Sequence, residues 1–227
     1  MNNVPRVLLI GAHGRMGRAV AAAAAKEPGL TIKAKLERGD PITPGIDDCD
    51  VVIDFSSANA TEAVCRGCAE SRKALVLGTT GHNATQKALI AAAARQIPIV
   101  FAANFSVGVN ALFALTQRAA ELLGAEFDVD VIEMHHRTKK DAPSGTAKRL
   151  VEILNVGEAH RPVATHSIRA GDIVGDHMVI FTGPGERLEL IHRATTRETF
   201  AAGALRAARW IVDQPAGLYS MENVLGF

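Results

Sequence analysis

The sequence predicts an α/β protein: a parallel sheet covered by helices on both faces, followed by a smaller α+β part with a mixed or antiparallel sheet. Three observations lead there. Over about the first hundred residues, short apolar runs alternate with alanine-rich helical stretches, the pattern of right-handed βαβ units. After Asn104 that rhythm breaks, and three strand-like runs follow one another with only Gly-containing turns between them, which favours antiparallel neighbours. Finally, 48% hydrophobic and 22% charged residues over a length of 227 supply enough apolar material for one large domain or two modest ones.

Arg6–Ile10 has the continuous apolar character of a buried strand, and a glycine turn then opens a helix from about Met16 to Lys26. Leu30–Leu36 and Asp50–Phe55 read as the next strands. Asn59–Glu70 reads as a helix, Ala74–Leu77 as a strand and Ala84–Arg95 as a helix. Ile97–Phe101 is a fifth strand, and its Pro98, unable to donate to a ladder, suits a strand start or an edge. A helix from about Val107 to Leu123 leads into a strand at Phe127–Met134, and another helix covers roughly Thr146–Leu154. Strands near Thr165–Ala170, His177–Thr182 and Glu186–Arg193 build the second sheet. Arg197–Asp213 is helical, with Phe200, Leu205 and Trp210–Val212 apolar among alanines. The polar tail Gln214–Phe227 offers little core of its own, so this helix is expected to return to the first domain. The domains therefore divide as 1–106, 107–196 and a returning segment 197–227.

Composition removes several classes of function. A net charge of +1 leaves no global basic field for nucleic acid or an acidic membrane, and 4% aromatic residues provide few platforms for stacking bases. No apolar run reaches the roughly 18 residues of a membrane span, and the start, Met1-Asn-Asn-Val-Pro5, lacks a signal-peptide pattern, so a cytoplasmic location is expected. Cys49, Cys65 and Cys68 do not describe a disulfide framework. The C-x-x-C pair Cys65/Cys68 sits in a helix-like run without a second ligand pair, and reads as buried thiols rather than a zinc or redox site.

Gly11-Ala-His-Gly-Arg-Met-Gly17 directly follows the first strand and opens the first helix, the context that makes a glycine pattern informative. Gly11 permits the tight turn, Gly14 lets backbone approach a pyrophosphate, and Gly17 allows close helix–strand packing. Glu37 ends the second strand about twenty residues further on, where an acid holds a ribose hydroxyl. Its neighbour Arg38, helped by Arg15, suits a 2′-phosphate instead, so the side-by-side pair predicts acceptance of both NADH and NADPH. This makes the first domain a Rossmann-type dinucleotide-binding domain. Gly78-Thr-Thr80 and Ala102-Ala-Asn-Phe105 end later strands and offer small residues and amides to the nicotinamide half. The expected cofactor contacts are thus Gly11, Ala12, His13, Gly14, Arg15, Met16, Glu37, Arg38, Gly78, Thr79, Thr80, Ala102, Ala103, Asn104 and Phe105. The plainer alternative, a glycine turn that merely packs a helix on a strand, does not explain the acid in register.

The six positions His135 to Lys140 carry two imidazoles, one guanidinium and two ammonium groups, and Pro143-Ser-Gly-Thr146 follows like the opening of a helix. Cations beside a helix N-terminus form a receptor for a small anion, and His and Lys are readily tuned to move protons near neutral pH. The run therefore reads as an anion site with proton donors built in. A solvated charge run is the bland alternative; the apolar strand before it and the helix start after it argue for a site. His135 and His136 are adjacent on a strand end and point to opposite sides, so no shared metal is expected.

The whole run Glu133-Met-His-His-Arg-Thr-Lys-Lys-Asp-Ala-Pro-Ser-Gly-Thr-Ala147 resembles the signature of the 4-hydroxy-tetrahydrodipicolinate reductases, long called dihydrodipicolinate reductases. The glycine loop, Glu37-Arg38, Gly78-Thr-Thr80, Ala102–Gly108, Arg169–Gly175 and Gly185-Glu-Arg187 match that family in order, so the resemblance spans nearly the whole chain. It implies NAD(P)H-dependent reduction of a small cyclic dicarboxylate to tetrahydrodipicolinate in lysine and diaminopimelate biosynthesis. It further implies that His135 is the proton donor/acceptor, Lys139 the second proton donor, and His136, Gly145 and Thr146 the binders of the substrate carboxylates. A homotetramer through the substrate-domain sheet is implied as well, as is domain closure with hinges near Asn104–Gly108 and Thr195–Glu198.

The chain departs from the family in being short, with loops trimmed between Arg38 and Cys49 and between Leu154 and Thr165. The first bears on cofactor preference, the second on subunit contacts. His13 is bulkier than the small residue expected within the glycine loop. Two competing functions remain at this level: another nicotinamide-dependent dehydrogenase of amino or hydroxy dicarboxylates, such as an aspartate dehydrogenase relative, and a non-catalytic dinucleotide-binding redox sensor. The signature run argues against the first, and the proton donors His135 and Lys139 against the second.

Overall fold

A computed structural model describes residues 4–37, 40–155 and 162–226. The chain divides into two compact units, one comprising the residues up to Ser106 together with those from Glu198 onward, the other Val107–Arg197. In chain order the first unit contains β1 (Arg6–Ile10), α1 (Arg15–Ala24), β2 (Thr31–Leu36), α2 (Thr43–Ile46), β3 (Val51–Asp54), α3 (Thr61–Glu70), β4 (Ala74–Leu77), α4 (Ala84–Ala93) and β5 (Pro98–Phe101). The second contains α5 (Val107–Leu123), β6 (Asp128–His135), α6 (Gly145–Leu154), β7 (Val163–Arg169), β8 (Gly175–Gly183) and β9 (Glu186–Ala194). The chain then returns to the first unit with α7 (Glu198–Ile211), β10 (Gly217–Tyr219) and α8 (Met221–Leu225).

Among the described residues, six parallel strands in the order β10-β5-β4-β3-β1-β2 form the first sheet. Every residue of β3 and β4 is buried, as a parallel strand covered on both faces requires. The covering layers are distinct: Val7, Leu9, Val51, Ile53 and Val76 pack with α1, α7 and α8, whereas Leu8, Ile10, Val52, Leu75 and Leu77 pack with α3 and α4. The edge strand β2 alternates instead, with Lys33 and Lys35 exposed, a charged rim that discourages pairing with another chain.

The C-terminal segment corrects the sequence reading. Residues after Asp213 are not merely a polar tail: β10 adds to the free edge of β5, and α8 buries Met221 and Val224 in the core beside α7. A three-residue strand has too little pattern of its own to be visible; its register comes from β5. Pro98 is indeed the first residue of its strand, but that strand is no longer the edge. The short helix α2 was likewise not anticipated.

The second sheet has the order β7-β6-β8-β9, with β6 and β7 parallel and the other pairs antiparallel. Helices α5 and α6 cover one face through Val109, Leu112, Phe113, Leu150 and Ile153 against Val129, Val131, Val179 and Phe181. Burial along β6 alternates strictly, so Val129, Val131, Glu133 and His135 all point to the helix-covered face. The opposite face presents Ile132, Met134, Ile168, Met178, Ile180 and Ile191, of which Ile168 and Ile191 are 44% and 40% exposed.

Helix α7 packs closely against the segment that follows β5, because a Cβ on Gly203 would lie 1.8 Å from the carbonyl oxygen of Phe105. Gly203→Ala is expected to lower unfolding free energy by about 1–3 kcal/mol, the usual cost of overpacking, measured as a reduced denaturant midpoint.

Candidate active site

Because the strands of the first sheet are parallel, their carboxyl ends share one edge. The chain leaves β1 toward β2 on one side and toward β3 on the other, and the crevice at such a reversal is where nucleotides bind. The glycine loop occupies it. Gly11 has φ +77°, and a Cβ there would lie 2.7 Å from the Phe55 carbonyl oxygen. A Cβ on Gly17 would lie 2.1 Å from the Gly11 carbonyl oxygen, so neither position accepts a side chain. Gly14 is the N-cap of α1 and supplies no side-chain cap, which leaves the helix's first amides directed at the loop's open side. This bare helix end is what a pyrophosphate requires, and the residues fit a dinucleotide.

Ala12 is buried, whereas His13, Gly14 and Arg15 are exposed and Met16 is half-buried. Glu37 reaches back to the loop: its Oε1 accepts from the His13 amide at 2.8 Å and lies 3.2 Å from the His13 ring. Beside Glu37 opens a cleft of ≈ 570 Å³ bounded by Ile42, Ser56, Ser57, Ala60 and Arg66, none of which was expected from the sequence. Arg38 lies outside the described residues.

At the end of β4, a Cβ on Gly78 would lie 2.1 Å from the Phe55 ring. The hydroxyl of Thr79 donates to the fully buried Asp54 at 2.8 Å, and Thr80 is exposed. Burial raises the Asp54 pKa against the opposing hydrogen bonds from Ser56 and Thr79. After β5, Ala102 and Asn104 are half-buried and Ala103 is exposed. Phe105 belongs to the core, its ring edge-on to Phe55 at 5.8 Å and the residue only 2% exposed. All the described cofactor candidates thus gather along one sheet edge.

In the second unit, the end of β6, the loop after it and the start of α6 gather the remaining candidates. His135 is 8% exposed and its Nδ1 is hydrogen-bonded to Glu133. Glu133 has no exposure; Arg169 grips it with both terminal nitrogens at 2.9 and 2.6 Å, and the Ser144 amide donates to it at 3.2 Å. Burial alone would raise the Glu133 pKa, but hydrogen bonds from Arg169, Ser167 and His135 prevail and hold it at about 2. Burial lowers the His135 pKa below its ordinary 6.5, with Glu133 pulling the other way. His136 lies just beyond the strand, its Nδ1 2.7 Å from the Thr138 hydroxyl. The Lys139 ammonium sits 2.8 Å from Asp141 and is largely shielded from solvent.

Ser144 caps α6, its hydroxyl accepting from the Ala147 amide at 3.1 Å. A Cβ on Gly145 would meet nothing within 4 Å, so the space before this helix end is open, while Thr146 is buried. Behind the cap stands His177, 3% exposed, with Nε2 3.1 Å from the Ser144 hydroxyl and its ring edge-on to His135 at 5.2 Å. Glu133, Ser144, Arg169, His177 and Asp54 were not assigned roles from the sequence. For Glu133 a signal existed: it lies two residues before His135 on a strand and so shares its face. Among the described residues, no group of three His, Cys, Asp or Glu side chains could hold a metal ion.

Residues 5–105 match the N-terminal family model of dihydrodipicolinate reductase and residues 108–225 the C-terminal one. A 4-hydroxy-tetrahydrodipicolinate reductase of Akkermansia muciniphila is 46% identical, covering 97% of each chain. One of Halorhodospira halophila is 42% identical over 96% of this chain and 97% of its own. Among solved structures, the dipicolinate-bound dihydrodipicolinate reductase of Paenisporosarcina sp. TG-14 superposes with a TM-score of 0.78 at 21% identity, covering 97% and 99% of the two chains, a likeness of fold.

Burial first, and then neighbouring His135, drive the His177 pKa down to about 3. Unfolding frees this imidazole to bind a proton below its ordinary pKa of about 6.5, so the stability it confers is complete above that pH and drains away as pH falls toward 3. Glu133 is nearly silent above pH 5 in either state. His177→Asn is therefore expected to remove about 2 kcal/mol of the stability lost between about pH 7 and 5, measured by urea unfolding at the two values; an unchanged difference would show that the ring is not held neutral.

Proposed function

The chain belongs to the dihydrodipicolinate reductase family, and on that premise we propose which of its own residues carry the reaction. It is an NAD(P)H-dependent oxidoreductase that reduces a cyclic dicarboxylate to tetrahydrodipicolinate in lysine and diaminopimelate biosynthesis, the activity of a 4-hydroxy-tetrahydrodipicolinate reductase. The reduced nicotinamide, when bound, supplies the hydride. Gly11, Ala12, His13, Gly14, Arg15 and Met16 hold the pyrophosphate, Glu37 the adenosine ribose hydroxyl, and Arg38, next in sequence, a 2′-phosphate where the cofactor carries one. Gly78, Thr79, Thr80, Ala102, Ala103, Asn104 and Phe105 line the nicotinamide half.

The substrate is a dianion, and the second unit meets it with His136, the Gly145 backbone and Thr146 at the start of α6. Addition of hydride to the ring leaves an enamine-like negative charge that must receive a proton. His135 gives that proton and Lys139 serves as the second donor. Burial disfavours the imidazolium, and a dianion beside the ring opposes this, so the substrate itself favours the protonated donor. The observation that carries the assignment is the imidazole of His135, fixed at Nδ1 by Glu133 in the same unit as the open helix end at Gly145.

The apolar face of the second sheet supports a homotetramer: Ile132, Met134, Met178 and Ile180 form a continuous patch with exposed Ile168 and Ile191 at its margins. Cys49, Cys65 and Cys68 are free and buried, in keeping with a reducing, cytoplasmic setting, and no helix among the described residues is long and apolar enough to cross a membrane.

His135→Ala and Lys139→Ala are each expected to reduce kcat by about 100-fold or more while leaving dinucleotide affinity within twofold, read from the fading of reduced-nicotinamide absorbance and from fluorescence titration. Parallel loss of cofactor binding would mean that the two sites have been misassigned. Ile168→Asp should leave each protomer folded but yield a smaller species by light scattering; an unchanged mass would place the interface elsewhere.

A further inference from the structure

Glu133 makes more connections than a residue that merely fills the core. It has no exposure, and its carboxylate receives the His135 Nδ1, both terminal nitrogens of Arg169, the Ser144 amide and the side chain of Ser167 beside it on β7. A carboxylate offers about four lone-pair positions, so this one is saturated and cannot rotate without breaking a bond. Its partners lead to three separate parts of the site. One is the imidazole of His135. The second is the first turn of α6, through Ser144. The third is the loop bearing Lys139: Arg169 Nη2 also donates to the Asp141 carbonyl at 2.6 Å, and the Asp141 carboxylate holds the Lys139 ammonium at 2.8 Å.

Burying an ion pair is no efficient route to stability, since apolar side chains of the same volume pack at least as well once desolvation is counted. What such a pair provides is fixed geometry. An ionised carboxylate only accepts, so the hydrogen it shares with His135 resides on Nδ1. The neutral ring then has a bare Nε2, and the charged ring has its only unengaged proton there. The other charged or titratable groups facing this ring are Arg169 on β7, His177 on β8 and, on the loop, Lys139, itself paired with Asp141. His177 is bonded through Nε2 to the Ser144 hydroxyl and so does not compete for Nδ1.

We infer that the Glu133–Arg169 pair is the positioning hub of the proton-transfer half of the site, selecting Nε2 of His135 as the transferring atom and locking the Lys139 loop and the first turn of α6 in register with it. This rests on the assignment of His135 as proton donor. Glu133 and Arg169 are positioning residues, acting through the groups they hold.

Removing the carboxylate weakens the hold of His135 on its proton. In the full-length enzyme, Glu133→Gln should lower kcat by about 10- to 100-fold and move the basic limb of the pH profile to lower pH by about one unit, with dinucleotide affinity unchanged. A residue that only supports the fold would scale the profile without moving it, and a wild-type limb overturns the inference. Because glutamine leaves Arg169 buried without its counter-charge, the double variant Glu133→Gln/Arg169→Met tests the same limb without that penalty. Nitrogen-15 NMR of the wild-type histidines gives a check independent of turnover: the Nδ1–H tautomer of His135 is expected, and an Nε2–H tautomer refutes the hub. His135→Gln separates the two claims. If it stays active, the donor assignment itself fails; if it is dead while Glu133→Gln keeps the wild-type limb, only the hub fails.

Discussion

A carboxylate with no contact with water has to be neutralised where it stands, and much of the second unit follows from that requirement at Glu133. The strict alternation of β6 turns every second residue toward α5 and α6, and the positions that hold Val129 and Val131 in the core carry Glu133 and His135 there too. Once inside, the carboxylate needs a counter-charge, which Arg169 supplies from the paired position beside His135 on β7. It needs hydrogen bonds as well, and takes them from the imidazole and from the amide that opens α6. The polar centre of the unit is thus built by the same pleat that builds its apolar core.

The first unit solves a different problem, how to bring backbone rather than side chains up to a ligand. Side chains are removed where chain meets chain, at Gly11 and Gly17, and the cap residue Gly14 leaves its helix end bare. The adjoining strand ends are tied to one another: Gly78 donates to the carbonyl of Asp54, Thr79 to its carboxylate, and Glu37 holds the His13 amide. The rim is a set of loops held by polar contacts at the end of a sheet whose central strands are mainly apolar, which keeps amides in place.

Much of this was legible in the sequence because it is written in periodicity and punctuation. Runs such as Val51–Asp54 and Ala74–Leu77 have no polar alternation and can only be covered strands, and the bounds of α5 coincide with its apolar pattern. The glycine loop and the cation run were visible because their residue types are unusual for their positions. What stayed hidden depends on partners distant in sequence. Arg169 meets Glu133 across 36 positions, a pairing that exists only in the β6–β7 register. His177 reads as an ordinary polar residue until β8 sets it opposite Glu133. The strand β10 is three residues long and takes its structure from the edge it joins.

The first unit is discontinuous, with α7 contributing Ala201, Ala204, Leu205 and Ile211 to the same layer as Val7 and Leu9. During translation this imposes an order of events. The intervening unit is a single uninterrupted stretch, whereas the strands made first must wait, one flank covered by α1 alone, for a helix made near the end. Nascent chains stalled before α7 therefore expose the sheet surface that α7 later seals, and it is during that interval that a chaperone would find its target.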